Sequence, residues 1–124
     1  MMNLHQPTRE QLTKTAMILE GFGKFQKAAR YYAKAGEFIK SAKLYEGLGD
    51  FNKAGKAYYE AGKVSKALQM YLKAGRKDQK IATLYEKIGN YRKAAEVWKS
   101  LKHTRNWKRC IQQSKQLSLF DVKL

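Results

Sequence analysis

LYEGLGDFNKAGKAYYEAG, running from Leu44 to Gly62, fixes the architecture because it holds one full period of a pattern that fills the chain. Gly49 and Gly62 are thirteen residues apart, and the same spacing extends outward through Gly23, Gly36 and Gly75 before one spacing of fourteen leads to Gly89. Lys102 takes the next slot. The ninth residue after each glycine is aromatic: Tyr32, Tyr45, Tyr58, Tyr71, then, after an extra residue near Asp78, Tyr85 and finally Trp98. The second positions are Phe25, Phe38, Phe51, Val64, Lys77 and Tyr91, and the fifth are Ala28, Ser41, Ala54, Ala67, Ile81 and Ala94. The twelfth are Ala35, Leu48, Ala61, Ala74, Ile88 and Leu101. Steps of three, four and three place these columns on one stripe of an α-helix, not on one face of a strand.

Each unit therefore holds one helix of about three turns and a short connection, ended by a glycine in the left-handed C′ conformation. Helices of ~10 residues are marginal alone. Each must bury its aromatic and alanine stripe on its neighbours, which predicts a stack of antiparallel hairpins. Small residues at the fifth and sixth positions, such as Ala28, Ala29, Gly55, Ala94 and Ala95, let helices approach closely. Ahead of the first glycine, Thr8 and Gln11 form a capping box for a helix from about Thr8 to Glu20. After the last unit, Thr104 caps a helix to about Ser114, making eight helices in four hairpins. The expected organisation is an N-terminal extension over residues 1–7, a repeat array over 8–114 and a tail over 115–124.

The leucine-glycine, aromatic, alanine and tyrosine pattern of Leu44 to Gly62 resembles that of tetratricopeptide-like α-solenoids, and the resemblance covers Phe22 to Leu101. It implies an all-α, right-handed α-solenoid built from short antiparallel helices. The departure is length: two units here take 26 residues without a closing proline, whereas a standard pair takes about 34. A regular peptide-binding groove of that family is therefore not implied.

Charge comes next. Twenty-six Lys and Arg stand against 10 Asp and Glu in 124 residues, a formal charge of +16, and such a field attracts polyanions or acidic proteins. The fourth position is lysine in every unit: Lys27, Lys40, Lys53, Lys66, Lys80 and Lys93. Consecutive helices alternate between two layers, so the column divides between two surfaces, and a lysine stem lying over the adjacent tyrosine with its ammonium in water accounts for it. Between Lys99 and Lys115 no acid occurs. Lys99, Lys102, Arg105, Trp107, Lys108, Arg109 and Lys115 form the candidate nucleic-acid surface, since basic groups neutralise phosphates and release counterions. The competing reading makes this segment a capping helix with Trp107 turned into the last hairpin.

The tail carries Gln116, Leu117, Ser118, Leu119 and Phe120, a pentapeptide that closely resembles the motif by which bacterial replication and repair proteins hook onto the β sliding clamp. The resemblance implies Leu119 and Phe120 in an apolar pocket, Leu117 as a second anchor and the Gln116 amide at a polar subsite. It also implies a bacterial or phage source. The alternative is an apolar seal folded over the end of the array.

No catalytic constellation occurs: His5 and His103 lack a partner at a suggestive spacing, and the glycines lack a phosphate-loop lysine and hydroxyl. Cys110 is the only cysteine, so it reads as a buried thiol in a reducing, cytoplasmic setting. No metal site and no cofactor are expected, and no membrane segment is found in the sequence. The function expected is a non-catalytic adaptor of bacterial DNA replication or repair, standing alone or as the C-terminal part of a helicase or repair enzyme. The alternative is a general interaction scaffold that binds an acidic protein partner.

Overall fold

The structure, a computed structural model, describes the backbone of residues 6–123 and the side chains of residues 6–117. Among the described residues there are eight α-helices and no strand: α1 (Arg9–Gly21), α2 (Phe25–Lys34), α3 (Phe38–Gly47), α4 (Phe51–Glu60), α5 (Val64–Lys73), α6 (Gln79–Lys87), α7 (Tyr91–Ser100) and α8 (Thr104–Lys123). Five of them begin on the aromatic or valine at the second position, the phase that the glycine spacing predicts.

Local chemistry sets these boundaries. Thr8 and Gln11 close the capping box at α1, with Thr8 Oγ1 accepting from the Gln11 amide and Gln11 Oε1 accepting from the Thr8 amide. Asp50 and Asn90 cap α4 and α7 by accepting from the amides of Lys53 and Lys93. At the C-terminal ends, the six repeat glycines take φ between 76° and 80°, and Lys102 takes φ 63° in the seventh slot. In the turn after α3, for instance, the Asp50 amide reaches back 2.9 Å to the Tyr45 carbonyl, the six-to-one bond of a Schellman motif.

The chain divides into two compact units, Met1–Met70 and Tyr71–Leu124, and the division falls inside α5. In the first unit α1 packs on α2, α2 on α3 and α3 on α4; in the second α6 packs on α7 and α7 on α8. Ala28, Ala42, Ala54, Ala82, Ala94 and Ala95 are buried at the helix contacts. Tyr32, Tyr45, Tyr58, Tyr71 and Trp98 fill the space between them, each worth about 2 kcal/mol of burial.

The last helix differs from the sequence expectation. α8 does not end near Ser114 but continues to Lys123, because neither glycine nor proline follows Ser114 to stop it. The pentapeptide 116–120 consequently lies in helical backbone. Gln116 and Leu117 are exposed, and the side chains of Ser118, Leu119 and Phe120 lie outside the described residues.

Candidate interaction surface

The lysine column is tied to the tyrosine column of the preceding helix. Lys40 Nζ lies over the Tyr32 ring, Lys53 over Tyr45 and Lys66 over Tyr58, each at 5.7 Å, and Lys80 lies over Tyr71 at 5.3 Å. This is cation–π range and is worth about 0.5–1 kcal/mol at exposed sites. Four lysines of the column thus cover the repeat's own aromatics, with the ammonium itself, and not the stem alone, over the ring.

A second ladder, which the sequence reading missed, runs through glutamates three residues before a repeat glycine. Tyr32 Oη donates to Glu20 at 2.7 Å, and Tyr58 Oη donates to Glu46 at 2.8 Å. At the equivalent place in the second unit, Trp98 Nε1 donates to Glu86 at 2.7 Å. Burial and then the bond to the glutamate push both Tyr32 and Tyr58 up to about 12. The signal was available: a glutamate precedes Gly23, Gly49 and Gly89 at one fixed spacing.

The basic C-terminal segment divides in two. Arg109 is held by Glu86 through two bonds, NH1 to Oε1 at 2.6 Å and NH2 to Oε2 at 3.1 Å, so Glu86 links α6, α7 and α8. The Arg109 bond is the main reason the Glu86 carboxyl lies below its ordinary value. Lys99 Nζ lies 5.5 Å from the centre of the Trp107 ring, and Trp107 packs half-buried against the cluster of Ala82, Ala94, Ala95, Trp98 and Cys110. Lys99, Lys102, Arg105, Lys108, Arg109 and Lys115 are all exposed, and Trp107 is half-buried. Of the seven residues proposed for nucleic acid, Lys99, Trp107 and Arg109 thus make contacts within the unit. Cys110 is fully buried, and burial raises its thiol above the ordinary value, so the basic neighbours do not activate it.

Two grooves of the same construction remain. In the first unit, α2 and α4 flank α3 around a volume of about 360 Å³ whose lining includes Ala33, Phe38, Ser41, Tyr45 and Ala57. Its rim carries Arg30, Lys34, Lys53 and Lys56 against Glu60. In the second unit, Leu72 at the end of α5, Ile81 and Tyr85 of α6 and Val97 of α7 line a groove of about 260 Å³, with Arg76, Lys77 and Lys93 against Glu96. Among the described residues no group of His, Cys, Asp and Glu is placed to hold a metal ion, and no helix is long and apolar enough to cross a membrane.

Against this all-helical, basic repeat, the family model for soluble NSF attachment protein, SNAP, matches residues 3–124. The chain belongs to the SNAP family. The match spans the repeat and the whole of α8, so the pentapeptide lies within the SNAP-family region and not outside it. No curated protein and no solved structure matches the chain. For this SNAP-family chain, membership supports a helical-repeat, protein-binding scaffold, the alternative raised from the sequence; replication, repair and clamp binding receive no support from it.

Proposed function

We propose that this chain is a non-catalytic attachment module, a helical-repeat scaffold that docks an acidic protein partner on its basic surface. The family match over residues 3–124 carries the reading, since the family is one of attachment proteins. The +16 charge supplies the sign of the partner. A cytoplasmic setting fits the single reduced, buried thiol.

The test is a competition between an acidic helical protein and a DNA duplex for the full chain, followed across a salt series. Charge alone attracts both. A protein interface with apolar contacts retains the acidic protein at salt that has already released the duplex. Retention of DNA after loss of the acidic protein overturns the reading and favours the exposed set Lys102, Arg105, Lys108 and Lys115 as a nucleic-acid surface.

A second reading, contact with the bacterial β sliding clamp through Gln116, Leu117, Ser118, Leu119 and Phe120, is favoured by the exposure of Gln116 and of Leu117, which is 48% accessible. Use of this segment as a mobile hook requires the last turns of α8 to leave the helix. Retention of purified clamp by the full chain, lost on changing Leu119 and Phe120 to Ala, is its test; no retention ends it.

A further inference from the structure

The two grooves occupy equivalent positions of the repeat, so their linings can be compared place by place. Ala33 on α2 corresponds to Leu72 on α5, Ser41 on α3 to Ile81 on α6, and Ala57 on α4 to Val97 on α7. Tyr45 and Tyr85 correspond, as do Lys53 and Lys93. At three positions the second unit places a branched aliphatic side chain where the first has a small residue. The first groove is accordingly the larger, about 360 Å³ against about 260 Å³. Its rim differs as well: Lys56 stands where the second unit has Glu96.

We infer that the α2–α3–α4 groove is a docking slot for an acidic polypeptide segment that inserts an apolar side chain between Ala33 and Ala57; the inference rests on the scaffold reading above and gives it a place. Two observations support it. At Ala33, Ser41 and Ala57 the aliphatic volume that Leu72, Ile81 and Val97 supply in the equivalent groove is missing, and although Phe38 stands opposite Lys77 at the second position, the space is about 360 Å³ against about 260 Å³. Four cations stand against Glu60 around the rim; Lys53 also meets Asp50 at 3.8 Å and Lys34 lies over the Tyr31 ring, and the net positive rim matches a segment with carboxylates on either side of an apolar anchor.

The probe is a labelled synthetic peptide of Glu and Leu in an amphipathic helical pattern, with a Glu-only peptide as control, titrated with the full chain by fluorescence anisotropy. The wild-type chain is expected to bind the Glu/Leu peptide about tenfold more tightly than the control, a preference that Ala33→Leu with Ala57→Val, copied from the second unit, removes while binding of the control stays. Equal binding of the two peptides by the wild type, or an undiminished preference in the filled variant, overturns the slot. Should the filled variant not fold, Arg30→Glu with Lys56→Glu changes only exposed rim charges and is compared with Lys77→Glu plus Lys93→Glu on the other groove. Loss of Glu/Leu binding in the first pair alone supports the slot, and equal loss in both overturns it. Displacement of the peptide by single-stranded DNA whose own binding falls in the filled variant overturns it in favour of nucleic acid. An acidic protein that the wild type retains in the salt series, with affinity indifferent to every groove variant, sinks the slot and leaves the scaffold reading standing; failure to retain any acidic protein sinks the scaffold reading.

Discussion

The first unit closes its helix pairs with tyrosine hydroxyls on Glu20 and Glu46, whereas the second closes its pair with the Trp98 indole and the Arg109 guanidinium on Glu86. One position of one repeat is thereby served by two chemistries with opposite responses to pH. The grooves differ in the same manner, small-lined in the first unit and aliphatic in the second. A thirteen-residue period thus sets where the helices lie and leaves the contacts between them to individual side chains.

Removing Glu86 is the most severe way to break this comparison. Glu86→Ala strips partners from both Trp98 and Arg109 and is expected to cost about 2–3 kcal/mol, with hydrogen exchange accelerated in α6 to α8. Equal acceleration in α1 to α4 would show that the two units do not respond separately. The next effect is at a turn. Gly49 sits at φ 77° with open space around a Cβ, so Gly49→Ala is expected to cost about 1–2 kcal/mol from backbone strain alone, read from the denaturant midpoint.

Titration sharpens the contrast. Folding raises Tyr32 and Tyr58 from 10.0 to about 12, so the stability they contribute is complete below pH 10.0 and is lost as pH rises through about 12. Glu86 is shifted down from 4.5, so its contribution is complete above 4.5 and is lost as pH falls through its lower folded value. Both tryptophans, Trp98 and Trp107, belong to the second unit. Tryptophan fluorescence should therefore report the acid loss, while tyrosine absorbance follows the alkaline one. Tyr58→Phe should cost about 1 kcal/mol at neutral pH and flatten the alkaline limb; an unchanged limb refutes the assignment. The smallest effect is a gain. Lys102 occupies the glycine slot at φ 63°, and Lys102→Gly should stabilise by about 0.5–1 kcal/mol in a denaturant melt.

Most of the helical framework was legible in the residues. Helix starts at the second position, the Thr8 box and the left-handed turns depend on neighbours within about one turn, and a linear pattern records such neighbours. The burial of the fifth-position residues followed from the same stripe. The surface was less legible. Arg109 read as one more exposed cation in an acid-free run, although Glu86, 23 residues earlier, holds it. The end of α8 was misplaced because the pentapeptide from Gln116 reads as a tail apart from the repeat, yet only a helix-stopping residue would have enforced a boundary. The glutamate ladder had a visible spacing, but its meaning needed the partner helix to be placed.

By itself, then, the sequence determined an all-α repeat with a glycine or Lys102 after seven of its helices and a strongly basic surface, because helix termination and net charge are local or additive properties. The tertiary structure alone decided which aromatic donates to which glutamate, which lysines lie over rings and which groove is left open. Those outcomes depend on how closely neighbouring helices approach and on the volume each side chain fills between them, and neither is written in the period.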